Sequence, residues 1–280
     1  MDKLLVVDGS NLLFQMFYGM PARIVGKHGK SVHGTLGFIG ALLKVIRKIS
    51  PDGVVVIFDG ECKNERKEID CDYKANRPDY SLMPEEETPF CQLPDIYAAL
   101  DFLKIKHMET TDCETDDIVA GYARRYGRDM QVTILSMDSD FFQLITGQVR
   151  VLRYRGEQSV LCDCSYVANR YGVLPAQYAE WKSLVGDGSD NIKGVRGIGP
   201  KTAAALLADY GSLEEILKNA ESIERKSVRE AILSSVERIE KNRALIVLTG
   251  CQCLPYEIEE LSYQYGGEST GQVLRAIGAQ

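Results

Sequence analysis

Histidine is scarce in this 280-residue chain, and the three present, His28, His33 and His107, all lie outside its acidic runs. An imidazole-held zinc centre therefore has no candidate ligand set. Cysteine is present at eight positions but never at C-x-x-C spacing; the nearest pairs, Cys162/Cys164 and Cys251/Cys253, are separated by one residue. A chain this long folds without staples, so reduced thiols are expected and a zinc or redox role is disfavoured. No apolar run approaches the roughly 20 residues needed to span a bilayer. The start, Met1-Asp2-Lys3-Leu4, lacks a charged leader followed by a long apolar segment. Both absences point to a soluble, cytoplasmic protein with no membrane partner. Basic excess is also missing: 33 Lys and Arg face 40 Asp and Glu, a net charge of −7. That balance speaks against nucleic acid only if the charge is evenly spread, because local basic patches are what guide DNA. Neither an internal repeat nor a low-complexity linker interrupts the chain, and its 45% hydrophobic content supports one large or two modest domains.

What the chain has in abundance is aspartate at the ends of apolar runs. Lys3-Leu4-Leu5-Val6-Val7-Asp8, Val54-Val55-Val56-Ile57-Phe58-Asp59 and Val132-Thr133-Ile134-Leu135-Ser136-Met137-Asp138-Ser139-Asp140 read as strands buried on both faces. Between them lie helical patterns such as 38–46 and 94–103, and this alternation indicates an α/β fold with a mostly parallel sheet covered by helices. Ligands of such sheets bind at the carboxyl ends of the strands, so the aspartates should meet at one crevice. Two further acidic groups, Glu114-Thr115-Asp116-Asp117 and Gly186-Asp187-Gly188-Ser189-Asp190, also sit at element ends. Each has a plain local explanation. Thr111-x-x-Glu114 matches a helix capping box, and Asp187 and Asp190 suit a turn around Gly188. The coincidence of nine carboxylates, Asp8, Asp59, Glu114, Asp116, Asp117, Asp138, Asp140, Asp187 and Asp190, favours hard divalent cations, Mg²⁺ or Mn²⁺. Two such ions suit in-line phosphoryl displacement, which makes phosphodiester hydrolysis the first reaction class to test.

Two segments supply the complementary charge. Residues 61–88 have few aliphatic anchors and mixed charge; Lys74 and Arg77, three apart as on a helical turn, are expected to face the acidic site. Beyond residue 175 the patterns are helical, and Gly194-Val195-Arg196-Gly197-Ile198-Gly199-Pro200-Lys201-Thr202 reads as a tight hairpin leading into a helix. With Lys193, Arg196 and Lys201 close by, the backbone N–H groups around Gly197 and Gly199 suit a helix-hairpin-helix clamp on a nucleic-acid backbone.

Val6-Val7-Asp8-Gly9-Ser10-Asn11, Phe58-Asp59-Gly60, Tyr73-Lys74-Ala75-Asn76-Arg77-Pro78, Glu114-Thr115-Asp116-Asp117, Asp138-Ser139-Asp140-Phe141, and Gly186-Asp187-Gly188-Ser189-Asp190-Asn191 with the hairpin occur in the order seen in the 5′-nuclease, or flap endonuclease, family. The chain resembles its bacterial standalone members, related to the N-terminal domain of DNA polymerase I. The resemblance implies a PIN-like nuclease core over 1–175 with a helical arch at 61–88, a helical clamp over 176–250 with its helix-three-turn-helix at 186–210, and a tail, 251–280, packed on the core. It further implies a monomeric, metal-dependent enzyme of the bacterial cytoplasm and nucleoid that cuts DNA near 5′ flaps, nicks or single-stranded 5′ ends. Lys74 and Arg77 would contact the scissile phosphate. Arg66, Tyr73, Lys193, Arg196, Gly197, Gly199, Lys201 and Thr202 would hold DNA, Tyr73 by base stacking, with K⁺ at the hairpin carbonyls. Two other readings stay open on the residues alone: a nonenzymatic structured-DNA binder with a vestigial metal site, and a related ribonuclease.

Overall fold

The computed structural model describes residues 1–26, 29–60, 65–111 and 113–279. Glu61, Cys62, Lys63 and Asn64 of the expected arch, together with His28, therefore lie outside the described residues. Six strands, β1 (Lys3–Asp8), β2 (Gly53–Phe58), β3 (Lys106–Glu109), β4 (Gln131–Leu135), β5 (Val149–Arg153) and β6 (Val160–Cys162), form one sheet in the order β3-β2-β1-β4-β5-β6. Every neighbouring pair is parallel except β5 with β6. The β1–β2 connection runs to one side and β4 pairs on the other, so the chain reverses direction across the sheet between β1 and β4. That is the switch point at which such sheets leave a crevice.

Strand alternation divides the interior in two. Leu5, Val7, Val54, Val56 and Phe58 face one layer, with residues of α1 (Gly9–Gly19), α2 (His33–Ile49) and, beyond the short helix α3 (Glu65–Ile69), α4 (Leu93–Phe102). Leu4, Val6, Val55 and Ile57 face the other, where α5 (Thr115–Tyr126) supplies Ile118, Val119 and Tyr122. That second layer continues without interruption into α6 (Cys164–Tyr171), α7 (Tyr178–Val185), α8 (Pro200–Tyr210), α9 (Leu213–Lys218), α10 (Lys226–Leu233) and α11 (Val236–Ile246). Helical region and sheet thus share a core, which fixes the position of one against the other.

The helical region also contains a two-stranded ribbon, β7 (Gly186–Asp187) with β8 (Ile192–Lys193), too short to show as a strand pattern in the sequence. Gly194 is required there: a Cβ on it would lie 2.0 Å from the Val185 carbonyl oxygen. In the tail, Leu261 joins one layer while Tyr263 and Val273, the latter on α12 (Thr270–Ala276), join the other. No described helix is long and apolar enough to cross a membrane.

Among its described residues, the segment expected to be a helical arch is mostly turns. Beyond α3 the helical elements among its described residues are single 3₁₀ turns at Tyr80–Leu82 and Glu85–Glu87. Lys74 and Arg77 do not ride one helical turn: Lys74 adopts a left-handed conformation, φ 57°, and the Arg77 N–H closes a turn on its carbonyl at 3.1 Å. A left-handed non-glycine residue costs on the order of 1 kcal/mol. Its neighbours hold it there. The Lys74 N–H donates to the Asp190 carbonyl at 3.0 Å, and Tyr73 is packed among Ala179, Ile192, Leu245 and Ile246.

Candidate active site

Asp8 ends β1 and caps α1, accepting from the Asn11 N–H at 3.0 Å with one carboxylate oxygen and from the Ser136 hydroxyl at 2.8 Å with the other. Asp59 follows β2, its N–H donating to the Ser10 hydroxyl at 2.8 Å. Asp138 follows β4, where its N–H donates to Ser136 Oγ at 3.0 Å and its carboxylate accepts the Asp140 N–H at 2.8 Å. Strand ends and a serine relay therefore bring these carboxylates together. With Glu114, Asp116, Lys74 and Arg77 they line a cavity of about 330 Å³. The Thr111–Glu114 capping box is not formed. Helix α5 begins at Thr115, and the Glu114 side chain makes no cap hydrogen bond.

The other four predicted carboxylates are not among the residues lining this cavity. Asp117 pairs with the Arg66 guanidinium at 3.1 Å, and the same guanidinium reaches Glu114. Asp140, Asp187 and Asp190 form a second cluster in which one carboxylate oxygen of each lies within 4.8 Å of the others. Arg77 joins the two groups, lining the cavity while pairing with Asp190 at 2.8 Å. Lys182, absent from the sequence-based site, is buried at 5% exposure and contacts both Asp140 and Asp187. Its one sequence signal is a lysine inside the buried run Trp181-Lys182-Ser183-Leu184, where an unpaired charge is not tolerated. Also unanticipated are Phe14 and Tyr80 on the cavity wall, with ring centroids 5.5 Å apart.

Two predicted DNA contacts are placed elsewhere. Tyr73, expected to stack on a base, is 4% exposed and anchors the arch base to the helical region. Arg66 is 9% exposed and committed to Glu114 and Asp117. The physical reason is common to both: few aliphatic residues are available in this segment, so its large side chains do the anchoring. The hairpin residues lie mostly at the surface. Lys193, Arg196, Gly197, Gly199 and Lys201 are exposed and Thr202 is half-buried, while Val195 and Ile198 point into the core. Gly197 has φ 87° in the turn closed by the Ile198 N–H on the Val195 carbonyl, a conformation that favours glycine.

Crowding of like charge shows in the protonation equilibria. Burial, then Asp59, then Asp138 push the Asp8 carboxyl up to about 7 against its two hydrogen bonds. Burial and Asp138 raise Asp116 well above the carboxylate range, with Lys74 opposing. Burial raises Asp140 to about 7 despite Lys182, whereas at Asp187 the Lys182 ammonium and Ser189 outweigh burial and the carboxyl is lowered. A group raised in the folded state contributes stability that is full below the unfolded pKa and is lost as pH rises through the folded value. The metal-free protein is accordingly expected to lose thermal stability between about pH 4 and pH 7. Asp187, being lowered, makes its opposing change below that window. Calorimetry in EDTA should show the decline, and Asp8→Asn, which keeps the acceptor for the Asn11 N–H, should reduce it.

The donor set is carboxylate oxygen throughout, which fits hard divalent ions. One observation supports the fit directly: the buried Oε1 of Glu114 has no hydrogen-bond partner among the described residues.

Comparison with known proteins identifies the family. The family model of the 5′-3′ exonuclease N-terminal, resolvase-like domain matches residues 3–172, and that of the 5′-3′ exonuclease C-terminal SAM fold matches residues 173–268. The chain belongs to the 5′-3′ exonuclease family. Among its relatives, the 5′-3′ exonuclease of Aquifex aeolicus is 33% identical over 231 residues, covering 82% of this chain and 77% of its own length. The thermostable DNA polymerase I of Thermus aquaticus is 34% identical over 236 residues, 84% of this chain. The chain spans only 27% of that polymerase. In fold it is similar to a variant of the bacteriophage T5 flap endonuclease in complex with DNA and metal ions, with a TM-score of 0.73, 22% identity and coverage of 88% of this chain and 89% of the other.

Proposed function

We propose that this 5′-3′ exonuclease family member is a metal-dependent, structure-selective 5′ nuclease that hydrolyses DNA phosphodiesters near 5′ flaps, nicks and single-stranded 5′ ends, acting as a monomer in the bacterial cytoplasm. The observation that carries the reading is the convergence of Asp8, Asp59, Glu114, Asp116 and Asp138 on one cavity that also presents Lys74 and Arg77. Divalent ions, Mg²⁺ or Mn²⁺, would be held by these carboxylates and by Asp140, Asp187 and Asp190, supplying an activated water and charge for the leaving oxygen. The chain's own residues do the rest. Lys74 and Arg77 place positive charge where the phosphate gains negative charge in the transition state. The Asn11 carboxamide, accepting from the Met137 N–H at 2.9 Å, and the Ser136 hydroxyl hold the β1 and β4 ends in register, so the carboxylates need no reorganisation.

Duplex binding falls to the exposed hairpin, whose Lys193, Arg196 and Lys201 and backbone N–H groups before α8 suit a phosphate backbone without reading sequence. A K⁺ ion at the hairpin carbonyls belongs to the same proposal. Lys201→Ala should weaken duplex affinity and make the slope of log affinity against log salt shallower by about 0.9 for one lost phosphate contact. Fluorescence anisotropy across a salt series measures it.

Structure selectivity is tested with end-labelled 5′-flap, nicked duplex, single-stranded and RNA-containing substrates of equal length in Mg²⁺. The reading expects cuts within a few nucleotides of the flap junction. Uniform cutting along single strands, or preference for RNA, would replace it with a ribonuclease or a non-selective nuclease.

A further inference from the structure

Lys182 sits on α7 at 5% exposure, with its ammonium in contact with Asp140 and 2.5 Å from Asp187. A lysine is buried at this depth only when its charge is matched. The carboxylates that match it belong to the compact cluster Asp140, Asp187 and Asp190, whose oxygens have the spacing that ligands of a divalent ion require. The third member, Asp190, is paired with Arg77. The Arg77 side chain is 52% exposed and can swing into solvent, whereas the Lys182 side chain is only 6% exposed. Asp8, Asp59, Asp116 and Asp138 differ: among the described residues none of them is in a salt bridge.

We propose that Lys182 is a resident counter-ion of the second metal position. A divalent ion binds first among Asp8, Asp59, Asp116 and Asp138, and the Asp140–Asp187–Asp190 cluster accepts another only when the Lys182 ammonium leaves the oxygens it holds. Two physical effects act together. The lone pairs of Asp140 and Asp187 that face the ammonium must be surrendered, and a unit positive charge a few ångströms from a divalent ion repels it. The two metal-binding steps are then unequal, and the cluster stays neutralised until the second ion arrives. The inference rests on the metal-dependent reading above.

The test is Mn²⁺ titration of the whole chain by calorimetry and by electron paramagnetic resonance, comparing the wild type with Lys182→Met and Lys182→Arg. Wild type should show a tighter and a weaker step. Lys182→Met, which keeps the apolar stem, should tighten the weaker step by at least about tenfold and leave the tighter one alone. Lys182→Arg should remain like wild type. An unchanged or weakened second step in Lys182→Met overturns the inference. A second measurement needs no substitution: in protein labelled with ¹⁵N at the lysine Nζ, the Lys182 resonance should move with the second equivalent of Mg²⁺ and not the first. Movement with the first equivalent also overturns it. If wild type binds no Mn²⁺ at all, the metal-dependent reading itself fails; identical isotherms for wild type and Lys182→Met remove only the counter-ion role.

Discussion

Asp138→Ala is expected to lower the single-turnover cleavage rate of a 5′-flap substrate by at least about a thousandfold, ~4 kcal/mol of barrier. Its position makes it the carboxylate common to both acidic groups. Asp138 raises the carboxyls of Asp8 and Asp116 on the cavity side and that of Asp140 in the second cluster, and it also raises the Lys182 ammonium. Removing it takes a carboxylate from between the cavity and the second cluster and frees the Asp140 N–H that its carboxylate holds. Affinity for the flap, measured in Ca²⁺, should change by less than about threefold, because phosphate binding comes from cations elsewhere. The separation of rate from affinity is the informative part. A variant that loses both has lost its fold around β4, which circular dichroism would show.

Tyr73→Ala should destabilise the protein by about 3 kcal/mol, the usual range for truncating a buried aromatic. The ring is packed against Ala179 on α7, Ile192 on β8 and Leu245 and Ile246 on α11, so the loss falls on the joint between arch base and helical region. The Lys74 ammonium lies 4.8 Å from the ring centroid, and the left-handed backbone at Lys74 depends on the same packing. Without the ring, Lys74 should lose its fixed approach to Glu114, now 3.4 Å. The cleavage rate should then fall along with the stability. Tyr73→Phe keeps the ring and should retain most of both. Urea denaturation and single-turnover kinetics on the two variants measure the effect; equal stability of Tyr73→Ala and wild type would detach the arch base from the helical region.

Much of this architecture is legible in the sequence because it follows from local rules. Strands buried on both faces announce themselves as unbroken apolar runs, and their C-terminal aspartates can only gather at one edge of a parallel sheet. The hairpin is readable for a similar reason, since Gly194 and Gly197 occupy positions that other residues resist. The missing parts are those decided by tertiary packing. Tyr73 and Arg66 look like ligand contacts in a polar segment, yet a segment with so few aliphatic residues uses the large side chains it has to anchor itself. Lys182 is invisible because helical periodicity marks it only as one residue in a buried run, and its partners are 42 and 5 residues away in sequence. The helical arch is an expectation from resemblance alone, and the turns that stand in its place after Ile69 follow from Pro78, Pro84 and the left-handed Lys74.

The central claim is that the carboxylate cavity performs metal-dependent phosphodiester hydrolysis at a 5′ junction. Its most direct test is single-turnover cleavage of a 5′-labelled flap duplex after metal removal, with EDTA, Ca²⁺ or Mg²⁺ added back. The account predicts no cleavage in EDTA or Ca²⁺ and, in Mg²⁺, release of the flap as a short oligonucleotide by a cut within a few nucleotides of the junction. Equal cleavage in EDTA and Mg²⁺, or intact substrate in Mg²⁺ at saturating protein, would contradict it.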